Sequence, residues 1–208
     1  IVFMFQSVSS TVTNRVLYKP FRTMFTAMPY AKKWMEWDRK LESELRLAGN
    51  IQFVPALANV EAMVGQAIIG GMVDEANFMN VVAQSKRVPG PRGQGGTFDQ
   101  AEDTYRNITR RRKSRFETKG PSVGVICTLS STRYKDDFMD RRQREVREND
   151  EQGVYIFRRK QYEVNPKFLL KPGDKTFSLV VGTDRYPTKV LKDTDVAGED
   201  YPADAHVE

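Results

Sequence analysis

The sequence has almost none of the two side chains, cysteine and histidine, that hold most zinc ions and carry much nucleophilic catalysis. Cys127 is its one cysteine and His206 its one histidine. A disulfide within the chain and a cysteine-rich zinc site are therefore excluded. A Ser-His-Asp or Cys-His mechanism needs a histidine beside the nucleophile, and a single one near the end of the chain argues strongly against it. Any chemistry rests on carboxylates, hydroxyls, lysines and arginines.

Long hydrophobic runs are also missing. No apolar stretch approaches the roughly 18 residues of a membrane span, so we expect no membrane partner. The opening IVFMFQSV has neither a basic segment nor a small-residue cleavage site, as a signal peptide would. The chain also lacks an initiator methionine, and we interpret it as a piece of a longer protein that starts within a domain.

The sequence does have enough apolar residues for a core, and it has a basic balance. Apolar residues make up 39% of the 208 residues, and the net charge is +6, which favours a polyanionic partner. The stretch from Lys86 to Lys119 holds ten Lys or Arg against four Asp or Glu, so its excess of +6 equals that of the whole chain. The centre of this stretch is RRRKSR at 110–115.

Short apolar runs alternate with helical patterns over the first 130 or so residues. Strands are predicted at IVFMFQSV (1–8), IQFVPA (51–56), AIIGGMV (67–73) and PSVGVICTLSS (121–131), and helices at 15–27, 30–48 and 97–118. This alternation is typical of an α/β fold with a mainly parallel sheet. Pro20 predicts a kink or a late start in the first helix, and GN at 49–50 predicts the end of the second. The Gly- and Pro-rich RVPGPRGQGG at 87–96 predicts a mobile loop.

The character of the sequence changes after Thr132. A polar, charged segment at 134–152 predicts a surface helix, and beyond it VYIF, KTFSLVVG and TKVL are short strand-like runs separated by Pro, Gly and Asp. We therefore predict a core at 1–133, a helical linker at 134–152, and a small β-rich appendage with a flexible tail at 153–208.

Two adjacent acids, Asp74 and Glu75, follow directly after an apolar run that predicts a buried strand. Ligands of open α/β sheets bind outside the carboxyl ends of the strands, and apolar residues followed by Asp-Glu form the Walker B pattern of P-loop ATPases. Asp74 would help to hold Mg²⁺, through its water shell. Glu75 would orient and polarise the water that attacks the γ-phosphate. The alternative is that both acids stabilise the N-terminus of a following helix.

A second apolar strand, VGVICTLSST at 123–132, ends in hydroxyl side chains. Ser130, Ser131 and Thr132 would lie at a neighbouring strand end, where hydroxyls can hydrogen-bond the water or the acids and so sense the γ-phosphate. The alternative is a simple Ser/Thr cap for the helix that follows.

Three segments in this order resemble the ATPase domain of the large terminase subunit, the DNA-packaging motor of tailed double-stranded DNA viruses. The segments are IVFMFQSVSSTVTNRV, GGMVDEANFM and VICTLSSTRYKDDFMDR. Within them, MVDEANF resembles the family's Walker B motif, and Leu129 to Thr132 resemble its coupling motif. The resemblance covers roughly residues 1–150. YEVNP (162–166) and KTFSLVVG (175–182) more weakly resemble the segment that links the ATPase and nuclease domains in some members.

This resemblance implies a P-loop NTPase-like fold and Mg²⁺-dependent ATP hydrolysis coupled to DNA movement into a capsid. By that resemblance Asp74 and Glu75 are the catalytic acids, while Ser130, Ser131 and Thr132 couple the phosphate state to movement. The implied cofactors are ATP and Mg²⁺. The implied partners are double-stranded DNA, a portal protein, a small terminase subunit and further copies of the chain in a ring. The implied location is the host cell cytoplasm, at the capsid portal, and the full-length protein would also be an endonuclease.

The chain departs from the family pattern in three ways. It contains no G-x-x-x-x-G-K-[ST], the Walker A loop that grips the phosphates; we expect that motif before Ile1 and expect this piece alone to be inactive without it. The acids of a nuclease domain are absent. The stretch before Walker B has no arginine to reach a neighbouring subunit's site, which leaves Arg87, Arg92 and Arg106 as candidate arginine fingers.

The basic cluster at 110–115 predicts sequence-independent contacts with DNA phosphates, which a translocating motor needs. Its members are Arg110, Arg111, Arg112, Lys113 and Arg115. The alternative is a solvated basic face, or one paired with the acids at 136–151. Trp34 and Trp37 lie near helical spacing with leucines, and we interpret them as core or domain-interface residues rather than base-stacking platforms.

Two other functions remain open. DEAN and SST resemble motifs of DEAD-like nucleic-acid helicases, but Ser130 follows Glu75 only after 55 positions, and no Gln-x-x-Gly-Arg pattern follows. The missing Walker A loop also allows a non-catalytic nucleic-acid-binding or assembly module. A P-loop upstream in the full gene would count against such a module, and downstream nuclease acids would favour a terminase over a helicase.

Overall fold

The computed structural model describes residues 1–56, 65–89, 95–116, 123–165, 179–181, 187–191 and 206–207. The chain divides into two compact units, residues 1–131 and 132–208. The finer predicted division, with a helical linker at 134–152, stays a prediction.

The secondary structure alternates as the sequence predicts over most of the first unit. The strands are β1 (Val2–Gln6), β2 (Leu45–Leu47), β3 (Ile51–Pro55), β4 (Ile68–Val73), β5 (Val81–Pro89), β6 (Gly95–Asp99), β7 (Ile126–Thr128), β8 (Leu179–Val181), β9 (Lys189–Val190) and β10 (His206–Val207). The helices are α1 (Ser10–Val12), α2 (Lys19–Ala27), α3 (Pro29–Trp34), α4 (Gln100–Phe116), α5 (Phe138–Glu148) and α6 (Gln161–Val164).

A five-stranded sheet in the order β2-β3-β1-β4-β7 forms the centre of the first unit. The strands β3, β1, β4 and β7 run parallel, and β2 is antiparallel to β3 at one edge. The predicted α/β fold with a mainly parallel sheet and flanking helices is therefore confirmed. The two central strands, β1 and β4, are largely buried, because a parallel sheet is covered by helices on both faces.

An aromatic cluster covers one face of the sheet. Phe5, Tyr18 and Leu45 are its buried centre. Phe21 packs its ring 4.9 Å from the ring of Phe5 and 4.9 Å from the ring of Phe53, at the separations that aromatic pairs prefer. We call this side of the sheet the aromatic face.

The helical stretch over the aromatic face begins earlier than predicted, at Ser10. The Ser9 side chain caps it by accepting a hydrogen bond from the Val12 N–H at 3.2 Å. Between α1 and α2 lies a π-helical segment, Thr13–Tyr18. Pro20 follows that segment in the first turn of α2 and has no N–H to donate. Widened π turns are common where a proline removes a helical hydrogen bond. The helix therefore changes from π to α geometry next to Pro20, where the sequence predicts a kink.

The predicted helix at 30–48 is wrong beyond Trp34. Leu45 belongs to β2, pairs with Phe53 across the strands and is fully buried. Gly49 and Asn50 both have positive φ, 75° and 59°, and they turn β2 into β3. The GN pair thus marks a hairpin turn, which favours these residue types, and not a helix C-terminus. Burial of Leu45 in the sheet contributes more free energy than the local helix propensity that the spacing indicates.

The helix α4 covers the opposite face of the sheet, where Gly71 allows close packing. A Cβ on Gly71 would lie 3.3 Å from Cδ1 of Ile108 on α4 and 2.9 Å from the carbonyl oxygen of Met4. Gly70 points to the other side by strand alternation, and a Cβ there would lie 2.1 Å from the carbonyl oxygen of Val125, so this glycine lets the segment before β7 lie close to β4. We call the side of the sheet that α4 covers the α4 face.

An antiparallel hairpin of β5 and β6 precedes α4 and is absent from the sequence prediction. Both ends of the predicted loop at 87–96 belong to these strands: 87–89 lie in β5, and 95–96 lie in β6. Residues 90–94 lie outside the described residues. Because β6 continues to Asp99, α4 begins at Gln100 and not at Thr97. The Asp99 carboxylate caps the helix by accepting hydrogen bonds from the N–H groups of Ala101 and Glu102, at 3.0 and 3.2 Å.

The second unit contains α5 within the predicted helical segment 134–152, and a small sheet in the order β10-β8-β9. Asp137 caps α5 by accepting a hydrogen bond from the Asp140 N–H at 3.0 Å. The predicted strand VYIF at 154–157 is wrong, since these residues form no regular structure. Most of the predicted flexible tail lies outside the described residues. No helix in the described parts of the chain is long and apolar enough to cross a membrane.

Candidate active site at the strand ends

Three parallel strands end side by side at one edge of the central sheet. Gln6, the last residue of β1, pairs with Val73, the last residue of β4, and Val73 pairs with Thr128 of β7. Backbone hydrogen bonds connect the three segments for one residue beyond these pairs. The Asp74 N–H donates to the Gln6 carbonyl oxygen at 2.8 Å, and the Leu129 N–H donates to the Val73 carbonyl oxygen at 2.8 Å. The acid pair therefore lies between two other strand ends, where α/β proteins bind their ligands.

Glu75 has an unusual backbone and an unusual side chain. Its φ of 53° and ψ of 40° lie in the left-handed region, which costs a non-glycine residue on the order of 1 kcal/mol. Its Oε2 is buried and has no hydrogen-bond partner in the described part of the chain. Strained residues and unsatisfied buried polar atoms both concentrate at functional sites.

The helix-cap interpretation of the acid pair finds little support at Glu75. The residues that follow form one 3₁₀ turn, Ala76–Phe78, and then β5 rather than an α-helix. Glu75 is the N-cap residue of that turn, yet its side chain makes no capping hydrogen bond. The Glu75 carboxylate therefore does not cap the turn that follows it.

The loop after the acids is tied to the hydroxyl residues that follow β7. Ser130 Oγ accepts a hydrogen bond from the Asn77 N–H at 3.0 Å, and Asn77 Nδ2 donates to the Ser131 carbonyl oxygen at 2.9 Å. Ser131 and Thr132 are exposed. The arrangement brings Ser130 and Ser131 to the acid loop through Asn77. Their coupling role, and that of Thr132, stays a prediction.

Three residues of this edge escaped the sequence analysis: Gln6, Ser7 and Asn77. Gln6 and Ser7 are 0% exposed. The Ser7 N–H donates to Thr13 Oγ1 at 2.9 Å, while Ser7 Oγ and both side-chain polar atoms of Gln6 have no partner among the described residues. The sequence does contain a signal that could have identified Gln6. The apolar run IVFMF is followed by the polar Gln6, just as the apolar run IIGGMV is followed by Asp74.

The acid pair fits Mg²⁺ in chemistry but offers few ligands. No group of three or more His, Cys, Asp or Glu side chains that could hold a metal lies in the described residues. Mg²⁺ uses one or two carboxylates and completes its shell with water and substrate phosphates. Asp74 and Glu75 supply those carboxylates, whereas the 208 residues contain no Walker A loop for the phosphates.

The basic cluster lies on the C-terminal half of α4. Arg110, Lys113 and Arg115 are exposed, and Arg111 is half-buried. Arg112 is half-buried as well, and its Nη1 donates to the Gly124 carbonyl oxygen at 3.5 Å. Cations in the last turn also stabilise the helix dipole, so a structural role accounts for part of the cluster. The acids of α5 pair with Arg142 and Arg144 of their own helix.

The candidate arginine fingers have separate locations. Arg87 stacks its guanidinium 5.7 Å from the ring centroid of Phe98 in the hairpin. Arg106 on α4 pairs with Glu102 at 2.9 Å, a surface contact that stabilises little. Arg92 lies outside the described residues.

The two tryptophans differ. Trp37 is half-buried and packs edge-on against Phe25, with ring centroids 6.3 Å apart, as a core residue does. Trp34 is 65% exposed, so a core role for it is wrong; an interface role stays a prediction.

Two solved structures of large terminases are similar to the chain. That of a thermophilic bacteriophage has a TM-score of 0.44 at 11% identity, covering 71% of this chain and 30% of the terminase. That of bacteriophage HK97 has a TM-score of 0.45 at 11% identity, covering 72% of this chain and 26% of the terminase. The chain thus spans less than a third of the length of either. No curated protein sequence matches it.

A family model gives the more specific match. It is described as "Uncharacterized protein MJ0330, N-terminal P-loop domain", and it matches residues 3–178. P-loop domains bind nucleotide phosphates, typically together with Mg²⁺. The match includes the three strand ends with their acids and hydroxyls, and so the chain belongs to this family of N-terminal P-loop domains.

Proposed function

We propose that the chain is the Walker B and coupling part of an Mg²⁺-dependent ATPase. The observation that carries this proposal is the acid pair at the end of β4, where Glu75 holds a buried, unpaired carboxylate oxygen between two other strand ends. Membership of a P-loop domain family supports nucleotide binding at this edge. The Walker A loop would come from outside these 208 residues.

The side chains divide the work by position. Asp74 would hold Mg²⁺ through its water shell, and the bound ion would supply positive charge beside the phosphates. Glu75 accepts a proton from the attacking water, a task that suits its unpaired oxygen. Ser130, held on the Asn77 N–H, links the acid loop to the end of β7 and carries changes at the phosphate to the following segment.

We propose more specifically that the full protein is a terminase-like motor that moves double-stranded DNA into a capsid. The order of the strand-end motifs supports this: Ser/Thr residues after β1, Asp-Glu after β4 and Ser/Thr residues after β7. The partners would be a portal protein, a small terminase subunit and further copies in a ring at the capsid portal in the host cytoplasm. A nuclease domain would follow in the full-length protein. The exposed cations of α4 support contact with DNA phosphates.

The decisive measurement is ATP hydrolysis by the full-length protein, with and without DNA, for the wild type and Glu75→Gln. We expect Glu75→Gln to lower kcat by at least about 100-fold, because the amide cannot accept the proton of the water. Nucleotide affinity should be retained. Glu42→Gln, at an exposed position, is the matched control and should hydrolyse ATP like the wild type.

The remaining functions are distinct outcomes of the same assay. Turnover of Glu75→Gln equal to that of the wild type would reject the catalytic role of the acid pair. Absence of turnover in the wild type would leave a non-catalytic nucleic-acid-binding module. Hydrolysis accompanied by strand separation of a short duplex would favour the helicase. Hydrolysis with movement along intact duplex DNA would support the motor.

A further inference from the structure

The end of β1 holds a polar side chain that the proposed function does not use. Gln6 is 0% exposed, and neither its Oε1 nor its Nε2 has a hydrogen-bond partner among the residues that the structure describes. Buried side-chain amides are almost always hydrogen-bonded. A fully buried glutamine with both polar atoms unpaired therefore points to a partner that this part of the chain does not supply.

The position of Gln6 connects it to the acid pair. Its carbonyl oxygen accepts the hydrogen bond of the Asp74 N–H at 2.8 Å, and it pairs with Val73, two residues before Glu75. Glu75 Oε2 is also buried and unpaired. Adjacent strand ends therefore offer two unpaired acceptors, Gln6 Oε1 and Glu75 Oε2, and one unpaired donor, Gln6 Nε2.

One water molecule beside a phosphate would satisfy all three of these atoms. A water has two O–H groups, one for each acceptor, and its remaining lone pairs stay free for attack. The Nε2–H groups can donate to a phosphate oxygen, as a neutral amide can without adding charge. A third carboxylate, at position 6, would add negative charge beside Asp74 and Glu75, whereas a carboxamide does not.

We propose that Gln6 positions the water that attacks the terminal phosphate of a nucleoside triphosphate, with Glu75 as the base. The inference rests on the proposed function. The water oxygen forms a bond to the terminal phosphorus, and its proton passes to Glu75. The bond from phosphorus to the bridging oxygen breaks, and its electron pair leaves with the nucleoside diphosphate. Gln6 itself is unchanged.

The test is Gln6→Met in the full-length protein, because methionine keeps the length and unbranched shape of glutamine and removes the amide. We expect kcat for ATP to fall by about 10- to 100-fold through loss of water alignment, while KM and nucleotide affinity stay within about twofold of the wild type. The thermal midpoint should be equal or higher, because an unpaired buried amide is removed.

Two further variants keep the test decisive. Gln6→Leu replaces Gln6→Met if the latter does not fold. Thr109→Val removes another buried, unpaired oxygen, on α4, and should leave kcat unchanged. A lower kcat with a thermal midpoint at or above the wild-type value supports the proposal. Unchanged kcat overturns it, as does a fall in kcat that follows a fall in the thermal midpoint.

Glu75→Gln, measured in parallel, separates the two proposals. If Glu75→Gln is inactive and Gln6→Met is as active as the wild type, the water-positioning role is rejected and the ATPase proposal stands. If Glu75→Gln is as active as the wild type, or if the wild type is inactive, both are rejected.

Discussion

The two faces of the central sheet are built in different ways. On the aromatic face, Phe5, Phe21 and Phe53 interlock around buried Leu45. On the α4 face, Gly71 in β4 lets one helix lie close, and Gln6, by strand alternation with Met4, belongs to this side. The buried polar atoms of Gln6 and of Thr104 on α4 have no partner among the described residues. The aromatic face supplies packing stability, although it too holds a buried oxygen without a partner among the described residues, that of Tyr18. The α4 face places its unpaired amide at a strand end, where active sites commonly give up stability.

Truncation in the aromatic cluster tests the first half of this comparison. Phe5→Ala should lower the free energy of unfolding by about 3–5 kcal/mol, because it leaves a cavity among three neighbouring rings. Urea denaturation of the folded protein measures it. Exposed Phe157 is 64% accessible, and Phe157→Ala should change stability by less than about 0.5 kcal/mol. Equal losses for the two variants would contradict the special role of the aromatic face.

Removing basic charges tests whether the α4 face and the aromatic face differ in DNA binding. A variant with Arg110, Lys113 and Arg115 changed to Gln should bind double-stranded DNA more weakly. The slope of log affinity against log salt should fall by up to about 3 units, since each lost phosphate contact contributes about 0.9.

The matched control removes three exposed cations above the aromatic face. Changing Arg15, Lys19 and Lys32 to Gln alters net charge equally and should leave that slope within about one unit of the wild type. An equal fall in both variants would mean that overall charge, and not the α4 face, attracts DNA.

The smallest expected effect concerns pH. Burial raises the pKa of the Tyr18 phenol, opposed by nearby Arg22 and assisted by Glu44. The folded state therefore keeps the proton where the unfolded state, with a pKa of about 10, has lost it. Stability from this group is fully present below about pH 10 and is lost as pH rises through the higher folded pKa.

Stability of the wild type should thus fall as pH rises above about 10, and Tyr18→Phe should flatten that fall. Urea denaturation at pH 9, 10 and 11 measures it. Tyr30→Phe, at a residue 62% exposed, should keep the wild-type dependence. A steep fall that persists in Tyr18→Phe would assign the effect to other groups.

Local signals were enough for the strands that carry the acids and hydroxyls. IVFMF, IIGGMV and VICT are continuous apolar runs ended by polar residues, and such runs predict buried parallel strands. The same break in polarity located Asp74, Glu75 and Ser130. It was equally present at Gln6, where one amide at the end of an apolar run was too common a pattern to single out.

Other elements depended on contacts far apart in the chain. The spacing of Trp34, Trp37, Leu41 and Leu45 suits a helix, and only pairing with Phe53 makes Leu45 a strand residue. The hairpin of β5 and β6 was hidden behind Gly and Pro residues that equally indicate a loop. Local propensities differ by less than burial of one large side chain contributes.

By itself, the sequence determined the alternation of strands and helices, the excess of basic charge, and the placement of two acids after a buried run, because these follow from neighbouring residues. Only the tertiary structure decided which strand ends meet and which polar atoms stay unpaired there. Gln6 and Glu75 lie 69 positions apart in the chain, and sheet pairing alone brings their strand ends together. Pairing between distant strands depends on long-range packing, and no local sequence pattern specifies it.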